Sequence, residues 1–244
     1  MKGANGQEIT CVWLDLDDTL VDFKSASRAA LAKVYAEERL HRFFPSLQSW
    51  TSAYEKFNYE LWQRYAGKEV DQATLRMERF RLPLMQADVA RDIATAMSTR
   101  LDPVYLGYLA DESRLLPGAL ELVSWLRDVA CVKVGVMSNG FAEVQQRKLE
   151  VTGLDDMIDL MVLSDDIGIN KPDPRLYEYA MERAGESAPA AQLMIGDNVN
   201  TDIAGALAAG WQALLFDPEL PLLHTRGTGY PIVSTLEVIP TLFN

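Results

Sequence analysis

Ile9-Thr10-Cys11-Val12-Trp13-Leu14-Asp15-Leu16-Asp17-Asp18-Thr19-Leu20 is the stretch on which the fold turns. Ile9 to Leu14 is an apolar run of strand length and predicts a buried strand. It stops abruptly at three carboxylates, Asp15, Asp17 and Asp18. Acids at the carboxyl end of a strand lie where open α/β sheets bind their ligands. If the chain uncoils after Leu16, Asp15 and Asp17 can both aim at one site. Carboxylates this close repel one another, so at least one needs a proton or a cation. Oxygen ligands of this kind suit Mg²⁺. Read alone, the same residues are equally an acidic turn that caps the next helix, and the rest of the chain has to decide.

The whole chain narrows the choice. It has 244 residues, 48% of them hydrophobic and 24% charged, which fits a globular protein with a core large enough to need no disulfide. Its 23 basic and 35 acidic residues give a net charge of −12, which argues against a nucleic-acid polymer or an anionic membrane as partner. A small phosphate ester remains open, because a local cation can reverse the field. The two cysteines, Cys11 and Cys131, have no neighbouring histidine or second cysteine, so both read as small buried hydrophobes in a reducing compartment. The polar start and the lack of a long apolar run predict a cytoplasmic protein with no leader and no membrane span. A monomer or a homodimer is expected.

Residues 22–113 read as helical throughout. Ala26, Ala30, Leu31, Val34 and Tyr35 form a helix-period stripe within Lys24 to Leu40. Pro45-Ser46 opens a second helix to Ala66, rich in aromatics at Trp50, Tyr54, Phe57 and Trp62. Asp71 caps a third, with Leu75, Phe80 and Leu84 inward. A fourth is expected from Ala87 to Arg100, with a short separate helix after Pro103. From Leu115 the pattern alternates: strands at Val132–Met137, Ile158–Leu163, Leu193–Ile195 and Trp211–Phe216, a short one near Ile232, and helices between them. Alternation of this kind predicts a parallel sheet with crossover helices. The first strand precedes the helical block, so the block is an insertion. The expected organisation is an α/β core of residues 8–21 and 114–244, a doubly wound parallel sheet, carrying an all-helical cap domain at 22–113.

Parallel strands present their carboxyl ends on one edge, and four chain segments bring polar residues there: Asp15 with Asp17; Ser138 with Asn139; Lys171; and Asp197 followed by Asp202. Together they supply a nucleophile, a second acid, a hydroxyl donor, a cation and a metal acid. Phosphoryl transfer asks for that set. Each piece has an ordinary reading as a turn, a solvated lysine or a helix cap. Their order, each after an apolar strand, does not.

D-L-D-D-T-L, S-N, K-P and G-D-x-x-x-x-D resemble the four motifs of the haloacid dehalogenase (HAD) superfamily, over nearly the whole of Glu8 to Phe216. The insertion is similar to that superfamily's helical C1 cap. The resemblance implies a Rossmannoid core and an Mg²⁺-dependent phosphatase. In it, Asp15 would be the nucleophile and Asp17 the general acid/base. Ser138, with Asn139 beside it, and Lys171 would hold the phosphoryl group. The side chains of Asp15 and Asp197 and the backbone carbonyl of Asp17 would hold Mg²⁺, with Asp202 supporting the metal through water.

Asp17 favours phosphate esters over dehalogenation, since a halide leaves unprotonated. A phosphomutase is a rival that uses the same residues but keeps water out. A receiver domain is much shorter and has no helical insertion, and a non-catalytic binding protein would not need the full motif set. Ser164 to Asp173, Ser138-Asn139-Gly140 and Leu75-Arg76-x-x-Arg79-Phe80 further resemble the pyrimidine 5′-nucleotidase branch. That implies nucleoside monophosphates such as dUMP, UMP or dTMP, with a sugar phosphate, as in the sialic-acid phosphatase branch, as the alternative. Arg76 and Arg79 lie i, i+3 on one helix and are the cap residues expected to meet a base or sugar.

Overall fold

A computed structural model describes residues 1–3, 6–220 and 229–243. Six strands form one sheet: β1 (Cys11–Leu14), β2 (Lys133–Ser138), β3 (Leu160–Leu163), β4 (Gln192–Gly196), β5 (Gln212–Phe216) and β6 (Ile232–Val233). Their order is β3-β2-β1-β4-β5-β6, and every pairing is parallel. The strand order reverses between β1 and β4, which makes the crevice beyond their carboxyl ends the switch point of the sheet.

The chain falls into two compact units, Met1–Phe23 with Ser113–Asn244, and Lys24–Glu112. The second is all helix. It is built on α1 (Phe23–Glu37), α2 (Leu47–Ala66), α3 (Gln72–Gln86) and α4 (Arg91–Asp111). Ser46 and Asp71 cap α2 and α3 with side chains that accept from backbone N–H groups. Trp50, Tyr54, Phe80 and Tyr105 bury their rings together, with centroids 5.0 Å apart for Tyr54 and Phe80 and 5.3 Å for Tyr54 and Tyr105. Phe57 and Trp62 are only half-buried.

Helix α4 corrects the expected break at Pro103: one helix runs through it. A proline inside a helix forfeits a backbone hydrogen bond, at a cost of about 3 kcal/mol. Here Pro103 and Thr99, whose carbonyl loses its partner, both lie on the exposed side, where water can replace the bond. The apolar stripe Leu101, Tyr105, Leu106 and Leu109 continues unbroken across it.

In the sheet unit, α5 (Ala119–Asp128) and α6 (Ala142–Thr152) pack on one face, α8 (Pro174–Arg183) and α9 (Ala204–Ala208) on the other, and a four-residue α7 (Ser164–Ile167) follows β3. The side chains of β1 divide accordingly. Val12 and Leu14 join Leu122, Val123 and Leu126 of α5, while Cys11 and Trp13 join Leu176, Tyr177 and Ala180 of α8. Successive residues of a strand point to opposite faces, so a sheet buried on both sides must read as a continuous apolar run. That is why β1 shows no polar alternation. Asn198 caps the helical turn after β4, its side chain accepting from the N–H groups of Asn200 and Thr201. Cys11 is buried as expected, but Cys131, in the turn between α5 and β2, is exposed. Among the described residues no helix is long and apolar enough to cross a membrane.

Candidate active site

The last β1 residue, Leu14, pairs with Val136 of β2 and Ile195 of β4, which delivers Asp15 to the switch point. Asp15 still donates its backbone N–H to Ile195 O at 2.9 Å, so its backbone is fixed by the sheet. The chain then turns back: Leu20 and Val21 both donate to Leu16 O, and Asp18 adopts φ 58°. The left-handed region costs an aspartate less than most residues.

Asp15, Lys171 and Asp202 form a buried cluster. Lys171 Nζ donates to Asp15 Oδ1 at 2.5 Å, to Asp202 Oδ1 at 2.6 Å and to Met137 O at 2.8 Å. Three acceptors answer its three N–H groups, as a buried ammonium requires. Its backbone is clamped by Asn139, whose Oδ1 accepts from Lys171 N at 2.8 Å and whose Nδ2 donates to Lys171 O at 3.1 Å. The side chain expected to hold a phosphoryl group thus grips the loop that carries the lysine. Asp202, expected to act through water, touches Lys171 directly, and its Oδ2 accepts from Asn198 N at 3.0 Å. A Cβ on Gly196 would collide with the Asp202 carboxylate, which explains the glycine before Asp197.

Asp15, Asp197 and Asp202 each offer an oxygen within 4.8 Å of the others. Burial pushes the Asp15 carboxyl well above the usual range against the opposing pull of Lys171, and Asp202 and Asp197 push it the same way. Burial, then Asp202 and Asp18, lift Asp197 to about 6. Burial works against the Lys171 ammonium, yet Asp15 and Asp202 outweigh it and hold that group above the ordinary lysine range. Thr19, fully buried, donates its hydroxyl to Asp197 Oδ1 at 3.3 Å. One ammonium among three carboxylates leaves the cluster short of positive charge. An all-oxygen donor set with that deficit fits Mg²⁺.

Asp17 is placed apart from this cluster. Its carboxylate accepts from Lys148 Nζ at 2.5 Å and from Gln145 Nε2 at 2.9 Å. Gln145 Nε2 also reaches Ser138 Oγ at 2.6 Å. Lys148, buried on α6, is thus a second cation beside these acids, one that the four motifs do not contain. Its signal was present in the sequence. Gln145 and Lys148 fall inside the helix stripe set by Val144 and Leu149, where solvated residues do not belong. Arg76 and Arg79 lie in the helical unit, where Arg76 Nε donates to Asp102 Oδ2 at 2.6 Å and the buried Arg79 forks onto Asp102 Oδ1.

A parallel α/β sheet thus holds a lysine-bound aspartate at its switch point. Residues 9–210 match the haloacid dehalogenase-like hydrolases, and the chain belongs to that family. It is similar to the pyrimidine 5′-nucleotidase YjjG of Escherichia coli (strain K12), with 30% identity over 82% of each chain. It is 28% identical to the pyrimidine 5′-nucleotidase PynA of Streptococcus pneumoniae, over 93% of this chain and 92% of that one. Its fold matches that of the magnesium-bound HAD-hydrolase YfnB of Bacillus subtilis with a TM-score of 0.82 and 24% identity, over 97% of this chain and 99% of the other.

Proposed function

We propose that this protein is an Mg²⁺-dependent phosphomonoesterase that works through an aspartyl phosphate on Asp15 and acts on pyrimidine nucleoside 5′-monophosphates. The observation that carries the chemistry is the buried Lys171 ammonium 2.5 Å from Asp15 Oδ1 at the end of β1. A carboxylate attacks a phosphate dianion only where fixed positive charge offsets the repulsion.

Asp15 attacks phosphorus in line, a P–O bond to the ester oxygen breaks, and that oxygen takes a proton from Asp17. Water then attacks the same phosphorus and gives its proton to Asp17. The bond to Asp15 breaks and inorganic phosphate leaves. Lys171 and the Ser138 hydroxyl bind the phosphoryl oxygens. Asn139, beside Ser138, fixes the Lys171 backbone. Mg²⁺, held by the side chains of Asp15 and Asp197 and the carbonyl of Asp17, would supply charge neutralisation at the phosphoryl group, with Asp202 beside it. Asp17, as a general acid, supports ester hydrolysis over dehalogenation.

The similarity to YjjG and PynA supports a pyrimidine nucleotide as the substrate, and a sugar phosphate is the reading it has to beat. The helical unit is the proposed source of specificity. The test is phosphate release from dUMP, UMP, dTMP, ribose 5-phosphate and p-nitrophenyl phosphate, each with Mg²⁺ and with excess EDTA. Nucleotides are expected to show the highest kcat/KM, and EDTA to stop every reaction. Saturating Mg²⁺ is also expected to raise the melting temperature, since a ligand at 100 times its Kd stabilises by about 2.7 kcal/mol. Full activity in EDTA, or a sugar phosphate ahead of all nucleotides, would overturn the corresponding part.

A further inference from the structure

Gln145 and Lys148 sit one turn apart on α6, and both are fully buried. Polar side chains in such a place need partners. Lys148 has the Asp17 carboxylate at 2.5 Å and the Phe23 ring, whose centroid lies 5.2 Å from Nζ. Gln145 turns its amide nitrogen to two acceptors, Asp17 Oδ2 and Ser138 Oγ. A carboxylate only accepts, so the amide cannot be flipped without setting oxygen against oxygen. This orientation leaves the buried Gln145 Oε1 with no hydrogen-bond partner among the described residues. An unmet buried acceptor costs about 1–3 kcal/mol, so this arrangement is held at the expense of stability. The backbone is shaped to admit the same side chain: a Cβ on Gly140 would collide with the Gln145 amide.

From this we infer that Gln145 and Lys148 are positioning residues that aim the Asp17 carboxylate and tie it to the phosphate-binding hydroxyl of Ser138. The inference rests on the phosphatase reading above. The backbone of Asp17 is bridged to Val21 beyond β1, but its side chain is about a quarter exposed at 27% and needs partners to fix its rotamer. Two donors from one rigid helix do so. The group that must meet the leaving oxygen then stands at a set distance from the group that holds the phosphoryl oxygens, which is the precision that proton transfer demands.

Leaving-group dependence reads this role directly. The ratio kcat/KM ends with departure of the leaving group. An alkoxide such as the nucleoside 5′-oxygen needs the Asp17 proton, whereas p-nitrophenolate does not. Lys148→Met is expected to lower kcat/KM for the best alkyl ester by about 100-fold, the usual worth of a placed acid, and that for p-nitrophenyl phosphate by less than about threefold. Lys148→Arg, which keeps the charge and the reach, is expected to restore most of the loss. A merely structural role would slow both esters alike, and that result, or no loss on either, overturns the inference alone. Melting curves of both variants report whether the fold is kept, and Gln145→Leu, expected to show the same split between the two esters, carries the test if the methionine variant does not fold. Wild-type protein that hydrolyses neither ester overturns the phosphatase reading and this inference with it.

Discussion

Asp15 and Asp102 are both buried carboxylates held by cationic side chains, one in the sheet unit and one in the helical unit. Their surroundings differ in sign. Asp102 sits between two arginines, and the Arg79 guanidinium also lies 5.4 Å from the Phe80 ring centroid and 5.3 Å from that of Tyr105. All of these residues belong to the packed helices α3 and α4. Asp15 shares a single ammonium with Asp202 and lies in one cluster with Asp197. Its neighbours come from strand ends and loops. The helical cluster answers its carboxylate twice over, and the sheet cluster is left wanting a cation. A buried ion group that serves packing is expected to close its charges, because an unpaired one is expensive. A group that serves chemistry can leave them open for a ligand to close.

Removing one charge from each cluster separates the two. Asp15→Asn is expected to cost activity on the order of 10⁴-fold or more, as loss of a nucleophile does. The amide cannot attack phosphorus and offers no charge to a metal. The melting temperature is expected to hold or rise, since one of three crowded acids has gone. Phosphate release and a thermal melt on the same preparation check both halves. Turnover at the wild-type rate would refute the mechanism, and a large fall in melting temperature would refute the contrast.

Arg79→Met probes the other cluster. The change leaves Asp102 buried with Arg76 alone. Breaking a buried ion pair from one side typically destabilises by about 3–5 kcal/mol, and the loss is expected in the denaturation midpoint. Hydrolysis of p-nitrophenyl phosphate per folded molecule is expected to stay near wild type. A variant as stable as wild type would show that the helical cluster is not there for packing.

The same contrast explains what the sequence allowed to be read. Asp15, Asp197, Ser138 and Lys171 follow apolar strands, and a parallel sheet has to bring such residues to one edge. The helix starts at Ser46 and Asp71 were legible for a local reason, a side chain that accepts from its own helix. Pro103 misled, because its local cost was weighed without the stripe that continues on the other side. Lys148 was missed because lysines in a helix are usually solvated. Only its phase with Val144 and Leu149 sets it apart. The partners of Arg76 and Arg79 were out of reach, since Asp102 lies on another helix and no spacing rule links α3 to α4.

The finest test of the comparison is Arg76→Ala. Arg76 and Arg79 share one carboxylate, but Arg79 is buried and Arg76 keeps 27% of its side chain exposed. If Arg76 only completes the ion cluster, its loss leaves Asp102 with the forked Arg79 and costs little, as partly exposed pairs do. If it also meets the base or sugar, its loss removes binding energy that only a nucleotide supplies. Interactions with a remote part of the substrate appear in kcat/KM for that substrate and not for one that lacks the part. The expected outcome is a fall of about tenfold in kcat/KM for the best nucleotide, equal to about 1.4 kcal/mol, with p-nitrophenyl phosphate unchanged. Equal falls on both substrates would place Arg76 with Arg79 as packing, and no fall on either would remove it from the site.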